Sequence, residues 1–293
     1  MAVKEGYMPF GEYRTYYRIV GQADGTKAPL VLLHGGPGST HNYFELLDDL
    51  ATDGRQLIMY DQLGCGHSSM PNQPALWRQE TWVKELIALR NYLNLKQIHL
   101  MGQSWGGMLA LIYLCDYQPS GIKSLVLSST LPDAKLWAQE QHRMIKLMAP
   151  KDQAAIAMAE KNNDYTAEAY QAANQRYMTQ HAASVPTPDS PEPLRRPKQT
   201  GTQSYLTAWG PNEYSPTGTL RNYNYTMKLK NIMQPTWITS GTDDLCTPLV
   251  AKTMHDQLPQ AKWTLFAHSR HMPFVDEREQ YLKQLKTWLD QHD

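Results

Sequence analysis

Short apolar runs alternate along this chain with stretches in which apolar residues recur every third or fourth position. Pro29-Leu30-Val31-Leu32-Leu33 is apolar on both sides and too short for a helix, the pattern of a strand buried on both faces of a parallel sheet. Arg55 to Tyr60 and Ile122 to Ser128 read the same way. Between the runs, His41 to Leu50 suits a helix, and Glu80 to Asn94 sets Trp82, Val83, Leu86, Ile87, Leu89 and Leu93 along one helical stripe. Ile98 to Ala110 reads as strand, sharp turn and helix, with a helix-forming run from Met108 to Tyr117. Ahead of all this, Tyr7 to Phe10 and Tyr13 to Val20 flank Gly11-Glu12 as a hairpin. Alternating strands and helices predict an α/β fold with a mostly parallel central sheet.

The pattern changes at Leu131. An Ala-, Gln- and Met-rich helical part, Trp137 to Tyr177, is followed by the Pro-rich Val185 to Pro197 and then by an aromatic stretch. Strand signals return only at Thr236 to Ser240 and Trp263 to Phe266. A closing helix, Pro273 to Gln291, carries Val275, Tyr281, Leu282, Leu285, Trp288 and Leu289 on its inner face. The expected division is a core of residues 1–130 and 226–293, interrupted by a helical cap of residues 131–225.

Composition narrows the function. The 28 Lys and Arg balance the 28 Asp and Glu, so summed charge gives no attraction to nucleic acid or an anionic membrane. No stretch approaches 18 uninterrupted apolar residues, and Met1 to Gly21 lacks an apolar signal core, which predicts a soluble, cytoplasmic protein. Cys65, Cys115 and Cys246 form no Cys-x-x-Cys pair, and none of the ten histidines sits in a ligand spacing, so neither a metal nor another cofactor is expected.

Three loops carry candidate chemistry. Gly102-Gln103-Ser104-Trp105-Gly106, between a strand and a helix, fits a nucleophile elbow. His34-Gly35-Gly36-Pro37-Gly38 follows a buried strand, and its glycines allow backbone N–H groups to approach a substrate oxygen. A serine nucleophile needs a base, and the base needs a carboxylate. The loop after Ser240 offers Asp243 and Asp244; the loop after Phe266 offers His268 and His271. Asp244, four residues before a helix-starting Pro248, and His271, just before the closing helix, are preferred. Asp243 suits a turn cap and His268 a local hydrogen bond.

With these motifs, Asp61-Gln62-x-Gly64-x-Gly66-x-Ser68 and Gly210-Pro211-Asn212-Glu213, nearly the whole chain resembles the proline iminopeptidase family of α/β-hydrolases, serine peptidases of the S33 type. The resemblance implies an α/β-hydrolase fold with Ser104 as nucleophile, His271 as base and Asp244 as its acid. It also implies Gly36 and Trp105 N–H groups as the oxyanion hole, and Glu213 as the cap residue that binds the free α-ammonium of a small peptide. Some members carry a second glutamate directly after the catalytic aspartate; here that position is Leu245, so looser amine recognition is expected. The expected activity is release of an N-terminal residue, preferably proline, through an acyl-enzyme without a cofactor. Alternatives are a prolinase-type dipeptidase or amino-acid amidase, an esterase indifferent to a free amine, and a non-catalytic ligand-binding homologue. Cys65 and Cys246 lie beside the site loops, so bulky thiol reagents are expected to lower activity.

Overall fold

The structure, a computed structural model, describes residues 2–52 and 54–293. Eight strands form one sheet: β1 (Val3–Phe10), β2 (Tyr13–Val20), β3 (Leu30–Leu33), β4 (Leu57–Tyr60), β5 (Ile98–Gln103), β6 (Ile122–Ser128), β7 (Thr236–Gly241) and β8 (Ala261–Phe266). Their order across the sheet is β1-β2-β4-β3-β5-β6-β7-β8; β1 and β2 run antiparallel to their neighbours, and every other pairing is parallel. This is the expected α/β-hydrolase sheet. The first strand starts at Val3 rather than Tyr7, because its backbone pairs with all of β2 from Val3↔Val20 to Phe10↔Tyr13. Lys4 and Glu5 are exposed there, so hydrophobic patterning cannot register them.

The two faces of β3 explain its unbroken apolar run. Leu30 and Leu32 pack with Phe44, Leu47, Leu285 and Leu289 on one side. Val31 and Leu33 pack with Trp82, Leu86 and Leu109 on the other. Successive side chains of a strand point to opposite faces, so a strand covered on both sides has no position to give to water. The covering elements include α1 (Gln79–Tyr92), α2 (Trp105–Ile112) and a 3₁₀ segment, His41–Thr52.

Between β6 and β7 lie α3 (Ala134–Ile145), α4 (Pro150–Asn162), α5 (Glu168–His181), α6 (Glu192–Arg195) and α7 (Thr202–Ala208), with no strand of the sheet among the described residues. Asp133 caps α3 by accepting from the N–H groups of Lys135 and Leu136, and Pro150 opens α4 at a position that needs no donor. These helices sit against the loop after β7. Gln141 Nε2 donates to Leu245 O at 2.7 Å, and His181 Nδ1 donates to Asp243 O at 2.9 Å. The chain closes with α8 (Pro248–Gln257), α9 (Pro273–Asp276) and α10 (Arg278–Asp290). The single closing helix expected from periodicity is thus two. They break at Glu277, whose Oε2 accepts from His268 N at 2.9 Å and Ser269 Oγ at 2.5 Å. Among the described residues no helix is long and apolar enough to cross a membrane.

Glu85 is fully buried, accepting from Leu63 N (2.9 and 3.0 Å) and Thr15 Oγ1. Desolvation outweighs these bonds and raises its pKa from 4.5 to about 8. A carboxyl with a raised folded pKa supplies stability that is complete below its unfolded pKa and is lost as pH rises through about 8. Thermal melts of wild type and Glu85→Gln between pH 5 and 8.5 should show a smaller fall for the variant. An identical fall in both would place the titration elsewhere.

The cysteines require a correction. Cys65 and Cys246 do flank the loops expected to carry chemistry, but both are wholly buried, and burial pushes both thiols well above the usual value. Cys65 Sγ donates to Gln62 O at 3.1 Å. Cys115 is half-buried and pushed up to about 12. The native protein should therefore keep its activity through incubation with an aryl disulfide at pH 8, with Cys65 and Cys246 reacting only after denaturation. Rapid modification of Cys65 or Cys246 with loss of activity would contradict this packing.

Candidate active site

The site begins at the end of β5, where the chain must turn at once into α2. Ser104 makes that turn with φ 54° and ψ −122°, a strained conformation for a residue with a side chain. It is held by Ser104 N donating to Ser128 O at 3.0 Å and by Thr130 Oγ1 donating to Ser104 O at 2.6 Å. The flanking glycines have a steric cause. A Cβ on Gly102 would fall on the Gly106 backbone, and one on Gly106 would fall on the Leu33 carbonyl. Strand, turn and helix are packed too closely for either.

The loop after β3 lies against this turn. Gly36 has φ +116°, which only glycine adopts readily, and its N–H, like that of Trp105, donates to no protein group among the described residues. Two unengaged donors beside a strained serine can receive charge that develops on an attacked carbonyl oxygen.

After β7 the chain enters the turn of Asp244. This carboxylate is 1% exposed, a costly place for a charge unless it is fully bonded. Its Oδ1 accepts from His271 Nδ1 at 2.7 Å and Cys246 N at 2.8 Å; its Oδ2 accepts from Ser129 Oγ at 2.6 Å and Gly241 N at 3.1 Å. Asp243 and His268, the other members of the two candidate pairs, are exposed. A carboxylate at Nδ1 fixes the imidazole so that Nε2 faces outward as a base.

Ser104, His271, Gly36, Glu213 and Leu245 line one cavity of about 540 Å³. Glu213 comes down from the segment between β6 and β7. Its Oε1 accepts from Tyr205 Oη at 2.8 Å, and its backbone oxygen accepts from Trp137 Nε1 at 2.8 Å. Desolvation raises the Glu213 pKa, against the lowering effects of nearby His271 and the Tyr205 bond. Glu213 forms no ion pair among the described residues, and no group of side chains there could hold a metal ion.

Motif residues other than those expected to carry chemistry position one another, and Tyr43, which lies outside every motif, joins them. Tyr43 Oη accepts from Gly35 N at 2.6 Å and donates to Gln103 Oε1 at 2.9 Å, while Gln103 Nε2 donates to His271 O at 3.2 Å. Trp105 Nε1 donates to Gln62 Oε1 at 2.7 Å, and Gln62 Nε2 to His34 O at 3.0 Å. Ser129, just past the end of β6, and Tyr43 were missed, and nothing in the sequence around either marks it.

A family model described as the alpha/beta hydrolase fold matches residues 28–278. The chain is 64% identical over 287 residues to a protein named proline iminopeptidase from Lactiplantibacillus plantarum, covering 98% of this chain and 100% of that one. Among solved structures, VinJ superposes with a TM-score of 0.91 at 31% identity, covering 99% of both chains. The proline iminopeptidase of Mycobacterium smegmatis superposes with a TM-score of 0.87 at 27% identity, covering 99% of this chain and 98% of that one. With near-complete coverage on both sides and the elbow, glycine loop and Asp244–His271 pair in one cavity, the chain belongs to the proline iminopeptidase family of α/β-hydrolases.

Proposed function

We propose that this protein is a serine aminopeptidase that releases the N-terminal residue, preferably proline, from short peptides. The observation that carries the reading is a carboxylate without a cation, Glu213, in the same cavity as Ser104 and the Asp244-bound His271. A desolvated carboxylate favours a ligand that brings a positive charge, and it penalises a blocked amine that leaves it unpaired. The free α-amine is thereby held near the serine that attacks the first carbonyl.

In the first step Ser104 Oγ bonds to that carbonyl carbon as its proton passes to His271 Nε2. The resulting oxyanion accepts from Gly36 and Trp105 N–H. Collapse breaks the C–N bond, and the leaving amine takes the proton from His271, whose imidazolium Asp244 stabilises. Water then attacks the acyl-Ser104 ester with His271 again as base, freeing the amino acid and the serine. No cofactor enters either step. Residues 131–225 serve as the cap that brings Glu213 over the sheet, and three unpaired cysteines suit substrates met in a reducing cytoplasm. Leu245, 1% exposed in the cavity wall, supplies no second carboxylate, which favours tolerance of N-terminal residues other than proline.

Kinetics on prolyl anilide and its N-acetyl form test the proposal. Wild type should cleave the free amine at least ~10-fold better, Ser104→Ala should lose at least ~10³-fold, and Glu213→Gln should lose ~10- to 100-fold on the free amine only. Equal cleavage of free and acetylated substrate by wild type would contradict the aminopeptidase reading and support an esterase-like one.

A further inference from the structure

The cavity that holds Ser104 and Glu213 is also lined by a cationic side chain. Apart from His271, its ionisable lining of opposite sign to Glu213 is a single ammonium, Lys198, on the chain between α6 and α7. Lys198 has neither a hydrogen bond nor an ion pair among the described residues, with Glu213 or any other group. Its neighbour Arg196 is different: that guanidinium is bound by Glu45 at 2.9 Å and Glu192 at 2.5 Å. Two residues further along the chain, the positive charge is left without a partner.

The surroundings of Lys198 suit an anion rather than open solvent alone. The residue is exposed, so an incoming ligand can reach it. Protein crowding around the ammonium lowers its pKa, with the charge of Arg196 adding to the effect. The hydroxyls of Thr200, Thr202 and Ser39 line the same cavity and can donate to a carboxylate alongside it.

We propose that Lys198 is a specificity-determining residue that binds the C-terminal carboxylate of the shortest substrates, so that the cavity reads a zwitterionic dipeptide by both ends. Glu213 takes the ammonium, Ser104 meets the carbonyl between, and Lys198 takes the carboxylate. The size agrees: a sphere of the cavity's 540 Å³ is about 10 Å across, room for two to three extended residues at about 3.3–3.6 Å each. Longer peptides would carry their carboxylate past Lys198 and lose the contact. The inference rests on the aminopeptidase reading and narrows it towards dipeptides.

The test compares prolyl-alanine, prolyl-alaninamide and prolyl anilide on wild type, Lys198→Met and Lys198→Arg. The alanine side chain leaves the terminal carboxylate as the one anion in the series. Wild type should favour the free acid over the amide by about tenfold in kcat/KM, chiefly through KM. Lys198→Met should bring that ratio close to one, and Lys198→Arg should keep most of it. No acid-over-amide preference in wild type, or a preference that survives in Lys198→Met, would overturn the role of Lys198. Wild type cleaving the anilide would show that failure to be specific to Lys198. Failure on all three substrates would instead remove the aminopeptidase reading, and this inference with it.

Discussion

The carboxylate of Asp244 is the group around which the catalytic end of the molecule is assembled. A charge removed from water must be met by donors, and here four arrive from four places: Ser129 after β6, Gly241 at the end of β7, Cys246 in the aspartate's own turn and His271 before α9. Each donor fixes one loop relative to the next. Losing one would leave a buried charge partly unpaired, so the position of His271 follows from the need to satisfy Asp244 as much as from its own loop.

The other half of the site is braced by sterics and neutral hydrogen bonds. The elbow brings β5 and α2 so close to β3 that Gly102 and Gly106 cannot carry side chains. Tyr43 and Gln103 then tie the glycine loop to the elbow and the elbow to the backbone of His271. Preorganisation of this kind lets donors and base be in place before charge develops. Over this rigid floor the segment between β6 and β7 supplies the groups with unmet charge, Glu213 and Lys198. The floor is thus suited to acyl transfer, and the proposed recognition of peptide ends falls to the overlying segment.

The sequence carried the central sheet well because strands buried on both faces leave continuous apolar runs, as at Leu30–Leu33. It carried the elbow because close packing forces glycine at two fixed spacings. It did not carry the start of β1, where Lys4 and Glu5 are exposed while their backbone pairs with β2, or the break at Glu277, which depends on acceptance from a loop nine residues away. Within the site, the aspartate and histidine loops were legible but the member of each pair was not fixed by pattern, since burial separates Asp244 from Asp243 and His271 from His268. Buried thiols at Cys65 and Cys246 looked accessible in sequence because proximity to a loop says nothing of exposure. Tyr43 bonds to Gln103 at a separation of 60 residues, so no local motif announces it.

The central claim is that the hydroxyl of Ser104, set on a strained backbone turn with His271 as its base, is the nucleophile. Peptide mapping by mass spectrometry after brief exposure to a fluorophosphonate tests it most directly. One adduct per chain, on Ser104 and slowed by free proline, is the expected result. An adduct on another residue, or equal labelling of Ser104→Ala, would contradict it.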